Sequence, residues 1–161
     1  MPNWCNNVVN VKTTNVQKLS DLIEAASEGR LLSFLVPPPN NYDVPSNDPD
    51  PVLPAWYTWN VKNWGTKWDI NYCEVHEQSP TEVILKFDSA WAPPTEAFIE
   101  GASTHGFSFR MHWYEHGLEM LGTAEIEPNS HSIQYEDMHS PTAELDEMFG
   151  ITEFLKEEAH A

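Results

Sequence analysis

NYCEVHEQSPTEVILKFDSA, residues 71–90, decides how the chain is read. Two strand-like runs, NYCEVHEQ and TEVILKFDSA, are joined by Ser79-Pro80 and read as an antiparallel hairpin. In the second run a period of two places Val83, Leu85 and Phe87 on one face and Ile84 and Lys86 on the other.

Upstream, WCNNVVNVK (4–12) mixes β-branched and polar residues as a strand does. Thr14 or Asn15 caps a helix in which Val16, Leu19, Leu22, Ile23 and Ala26 recur at helical spacing, with Gly29 as its stop. LLSFLVPPPN is a short apolar run ended by three prolines, and residues 37–54 read as a long, mobile loop. Trp56, Tyr57, Trp59, Trp64 and Trp68 crowd the next segment, which the spacing makes a short helix ended by Gly65. Downstream, Pro93-Pro94 open a helix that Gly106 closes, FSFRMHWYE is a strand, and LEMLGTAEIE is its partner across His116-Gly117.

Without the insertion at 31–70, the order is β-α-β-β-α-β followed by an extra strand. The expectation is an α+β, ferredoxin-like antiparallel sheet with helices on one face, occupying residues 1–126 with an aromatic-rich insertion after the first helix. Residues 127–161 form an acidic C-terminal extension packed on the same domain. It contains one edge strand and, after Pro141, one or two short helices with Leu145, Met148, Phe149, Phe154 and Leu155 along one side. From Glu125 onward ten acids face Lys156 alone. That tail docks on the sheet, pairs with a second copy as a homodimer, or engages a partner, and docking is favoured.

Charge limits function. Eight Lys+Arg against 25 Asp+Glu give a formal net charge of −17, which opposes direct binding of nucleic acid and suits a partner with a basic surface. MPNWCNNVVNV has neither the basic start nor the apolar run of a signal peptide, and no stretch approaches the ~18 to 20 apolar residues of a membrane span. The expectation is a cytoplasmic protein. Cys5 and Cys73 lack CxxC spacing and read as reduced packing residues.

NWGTKWD (63–69) is the sharpest candidate for a site. One reading is a pocket floored by Trp64 and Trp68 with Lys67 and Asp69 as polar anchors, completed by Asp88, Trp91 and Glu115. The other is an aromatic minicore pinning the insertion to the sheet, with Lys67 neutralised by Asp69 or Asp88, and this one is favoured. His112 and His116, four apart on a strand, stand about 13 Å from each other, too far to share a metal. Phe109, Met111, Trp113 and Glu115 share a strand face that could stack bases, yet only Arg110 is basic there and no RNP-type motif is present. No GxSxG, HExxH or phosphate-loop pattern occurs, so neither catalysis nor a cofactor is indicated.

MPNWC, WNVKNWGTKWD (59–69), FDSAWAPP (87–94) and EHGLEMLG (115–122) together resemble the phage- and plasmid-encoded YubB family, also described as Api-like proteins with a ferredoxin-like domain. The resemblance covers residues 1–126 and implies that fold and a mobile-element habitat, with no reaction. The function it suggests, taken with the charge, is a noncatalytic accessory protein. It would act by protein-protein contact in the host cytoplasm as an inhibitor or modulator of a host defence or nucleic-acid-binding protein. The alternative is a small-ligand-binding protein or enzyme built on the pocket at 63–69.

Overall fold

In the computed structural model, residues 3–42 and 53–161 are described. Of the loop expected over 37–54, residues 43–52 lie outside the described residues. The elements run β1 (Trp4–Lys12), α1 (Val16–Ser27), α2 (Leu31–Leu35), α3 (Ala55–Trp64), β2 (Cys73–Ser79), β3 (Glu82–Ala90), α4 (Thr95–His105), β4 (Ser108–Glu115), β5 (Met120–Glu127), β6 (Ser130–Tyr135), α5 (Ala143–Phe149) and α6 (Ile151–Ala159). The class is α+β, as expected. The strands form one sheet in the order β2-β3-β1-β4-β5-β6, and every neighbouring pair is antiparallel.

Alternation along β1 sets the two faces. Cys5, Asn7, Val9 and Val11 are buried, and their register partners include Val83, Leu85 and Phe87 on β3 and Phe109, Met111 and Trp113 on β4. Leu19, Leu22 and Ala26 of α1, Leu31, Leu32 and Leu35 of α2, and Phe98 and Ala102 of α4 complete this core. Each large side chain fully removed from water stabilises by about 1.5 to 3 kcal/mol. Phe109, Met111 and Trp113 are therefore sealed, which removes them as stacking surfaces for bases. Asn7 is polar within this core, and its amide nitrogen is satisfied by donating to the Cys5 carbonyl (2.9 Å) and to Ser89 Oγ (2.9 Å).

One local feature differs from expectation and one agrees with it. The run LLSFL is a helix, α2, although five residues are too few to hold a helix by propensity alone. The side chain that supports it comes from the tryptophan-rich segment, described below. The tail strand is β6, which extends the sheet beyond β5.

The second sheet face is not bare. α5 and α6 lie over β4 and β5, where Leu145 and Ile151 pack with Tyr114, Leu121 and Met138, and Phe149 and Leu155 flank them. Gly150, at φ 64°, separates the two helices and turns α6, so Ile151 takes a buried position while Met148 and Phe154 stay 36% and 40% exposed. Polar ties surround this contact. Arg110 Nε reaches Glu125 at 2.9 Å and its NH2 group reaches Glu144 of α5 at 3.2 Å. His116 Nε2 lies 3.2 Å from Glu158 of α6. Asp146 Oδ1 accepts from the Thr152 amide at 2.7 Å, and this bond holds its carboxyl below the usual range.

Trp113 lies flat against Gly122 across the β4–β5 ladder, with Tyr135 edge-on beyond it at 5.9 Å. A Cβ at position 122 would stand 2.7 Å from Gln134 O and from Trp113 Cε2. Gly122→Ala is expected to lower unfolding free energy by about 1 to 3 kcal/mol in urea denaturation, through displacement of the indole and the β6 backbone. An unchanged midpoint would show that this packing is looser than described.

Candidate functional site

Every residue of NWGTKWD has an assignable role. Asn63 Nδ2 donates back to the Trp59 carbonyl at 2.9 Å. Trp64 is buried, packs edge-on against Trp59 at 5.4 Å, and donates its indole N–H to the Val36 carbonyl at 2.9 Å. Gly65 ends α3 in the left-handed region at φ 84°, a conformation that disfavours any side chain, and abuts Pro93 and Glu96 at the start of α4. Thr66 Oγ1 donates to Ala90 O at 2.7 Å, tying the segment to the end of β3. The carbonyl of Lys67 accepts from Asn60 Nδ2 at 2.7 Å.

Lys67 and Asp69 neither pair with each other nor share a pocket. The Lys67 ammonium sits 4.3 Å from the centroid of the Trp68 ring and 5.6 Å from that of Tyr57. Asp69 turns the other way, toward the N-terminus of α2. Its carboxylate accepts from the amides of Leu32 (2.8 Å), Ser33 (3.0 Å) and Ile70 (2.8 Å), and from Ser33 Oγ (2.6 Å). A carboxylate at that end satisfies orphan N–H groups and opposes the positive end of the helix dipole. Asp69 is thus the side chain that makes a helix of LLSFL. Asp69→Ala is expected to cost about 2 kcal/mol in urea denaturation, and Lys67→Ala about 0.5 kcal/mol. Equal losses from the two would instead mark them as an ion pair.

The remaining candidates scatter. Glu115 is 2% exposed and closes the β4–β5 turn, accepting from the amides of Gly117 and Leu118 at 2.7 Å each. Trp91 is 42% exposed at φ 71°, and its amide donates to Asn3 O at 2.9 Å. Asp88 lies on the open sheet face, where Asn6 Nδ2 donates to its Oδ1 at 2.7 Å. Burial pushes the thiols of Cys5 and Cys73 up to about 12, so neither is a thiolate nucleophile at neutral pH. Among the described residues no group of three or more His, Cys, Asp or Glu side chains could hold a metal ion, and no helix is long and apolar enough to cross a membrane.

What the open face does present is a cleft of about 450 Å³ over β1, β3 and β2, beside the end of α5. Asn6 and Val8 of β1 and Lys86 and Asp88 of β3 share the open face there. Trp4, Trp68 and Tyr72 supply aromatic walls, Glu74 comes from β2, and Met148 and Phe149 close the side toward α5. Trp4 and Trp68 lean on one another with ring centroids 6.4 Å apart and planes tilted by 38°. Of the seven residues singled out in the sequence, Trp68, Asp69 and Asp88 line this cleft, whereas Trp64, Lys67, Trp91 and Glu115 do not. Trp4, Asn6, Tyr72, Glu74 and Lys86 were missed. The period-two pattern that grouped Ile84 with Lys86 also groups Trp4, Asn6 and Val8, and was the signal available for them.

No curated protein matches this chain. The crystal structure of a protein api92 from Yersinia pseudotuberculosis matches with a TM-score of 0.59 at 10% identity, covering 84% of this chain and 98% of that one, a likeness of fold. The family model described as the ferredoxin-like domain in Api92-like protein matches residues 67–155, from the tryptophan-rich segment into α6. That match takes in β6 and α5, which the resemblance read from the sequence left outside. Because it spans more than half of the chain, the protein belongs to the family of Api92-like proteins and carries their ferredoxin-like domain.

Proposed function

We propose that this protein is a noncatalytic accessory protein that acts by protein-protein contact, binding a partner with a basic surface. The observation that carries the reading is where the acids stand. Glu147 on α5 and Glu153 and Glu157 on α6 are exposed, and among the described residues none has a cationic side chain within ion-pair distance. They are mounted on helices docked to the sheet, so the negative potential has a defined direction; such a field accelerates encounter with an oppositely charged surface. The resemblance to phage- and plasmid-encoded proteins supports a host target, a defence or nucleic-acid-binding protein whose basic site the acidic face would occupy. The site of action in this reading is the host cytoplasm.

A small-ligand pocket or enzyme centred on 63–69 has less in its favour, since Trp64 is sealed and Asp69 is engaged by α2. A homodimer through the tail would have to use Met148 and Phe154, because Leu145 and Ile151 are buried on the sheet.

The test is capture from host lysate on immobilised protein across a salt series. A basic partner should be retained at low salt and released as ionic strength rises and the Debye length falls below about 8 Å. It should be lost with the triple variant Glu147→Lys, Glu153→Lys, Glu157→Lys. Recovery of nothing above background at low salt would contradict the proposal.

A further inference from the structure

We infer that the cleft on the open sheet face receives an arginine side chain of the basic partner, an assignment that rests on the protein-contact reading above. Three observations converge on that chemistry. Trp4, Trp68 and Tyr72 are 49%, 38% and 77% exposed and line one cavity, with the two indoles in contact. Adjacent exposed aromatics of this kind mark binding surfaces, and a ring face attracts cations through its quadrupole. The protein already uses one of these rings so: the Lys67 ammonium rests 4.3 Å from the centroid of Trp68.

The charge of the lining selects a cation. Asp69, Glu74 and Asp88 are set against Lys86, in a chain whose net charge is −17. Asp69 is committed to α2 and Glu74 Oε1 is held by His76 Nε2 at 2.6 Å, which leaves Asp88, exposed on β3, as the main acid of the lining.

Arginine is distinguished from lysine by the floor of the cleft. Asn6 Nδ2 donates to Asp88 Oδ1 at 2.7 Å and fixes the two side chains beside one another. Among the described residues, neither Asn6 Oδ1 nor Asp88 Oδ2 has a hydrogen-bond partner. Two neighbouring acceptors beside aromatic walls match a guanidinium, which stacks flat and donates in a fork, better than an ammonium, which offers a point charge. At about 450 Å³ the cleft has room for one or two extended side chains.

The experiment titrates purified protein with hexa-arginine, hexalysine and hexacitrulline, following the tryptophan indole NMR signals at low ionic strength. Citrulline keeps the shape of arginine without its charge. Expected is binding of hexa-arginine with shifts at Trp4 and Trp68, weaker binding of hexalysine, and none of hexacitrulline. Asp88→Asn, an isosteric change, and the paired Trp4→Ala, Tyr72→Ala variant should each weaken hexa-arginine by about tenfold. Binding that these cleft variants leave intact but the α5–α6 charge reversals abolish would overturn the cleft assignment and leave the acidic-surface reading standing. Equal binding of hexacitrulline would overturn the choice of a cation. No binding of hexa-arginine at all would overturn both readings.

Discussion

Five buried side chains on the second face of the sheet, Tyr114, Leu121, Met138, Leu145 and Ile151, determine what this surface can do. A sheet covered by helices on one face alone leaves its other face to water or to a partner. Here that face is divided. Over β4 and β5 the apolar cluster holds α5 and α6 down, and over β1 and β3 the face remains open, with Met148 and Phe149 forming its wall. One packing interaction therefore both fixes the direction of the acidic helices and bounds the cleft. Its polar surround acts in the same sense. Glu144 reaches both Arg110 and His112, whose imidazole burial holds below its ordinary value while Glu144 pulls it upward.

The tryptophan-rich segment is best understood as a fastener with one functional edge. Trp64, Thr66 and Asp69 bind it to the chain at Val36, Ala90 and α2, and these contacts are internal. Trp68 is different because its ring leans on Trp4 at the mouth of the open face. The sequence of this segment suits both a pocket and a minicore. The geometry gives the minicore to Trp64 and the cleft to Trp68, and the boundary passes through the Lys67 ammonium.

The strands were legible because period-two alternation over eight or nine residues is a local signal, and the pairing of Val83, Leu85 and Phe87 with the buried side of β1 follows from it. The helix at LLSFL was not legible, because its cap, Asp69, stands far along the chain and a five-residue apolar run carries no helical period of its own. The buried place of Ile151 is not legible in the sequence, because Gly150 turns α6 relative to α5 and brings that residue inward beside Leu145. Glu115 reads as a possible binding acid because sequence cannot distinguish a carboxylate that caps a turn from one that meets a ligand. The cleft is nonlocal in the same way: Trp4, Tyr72 and Asp88 belong to different elements and meet only once the register of β1 on β3 is set.

The acidic face and the wall of the cleft both depend on α5 and α6 being docked parts of the fold. Amide hydrogen exchange across residues 143–159 measures this directly, since docked helices open rarely and undocked helices of this length exchange freely. The account predicts exchange for Glu147 to Gly150 and Leu155 to Ala159 about 100-fold slower than in an unstructured chain. Unprotected exchange there, while the amides of β1 and β3 remain protected, would contradict it.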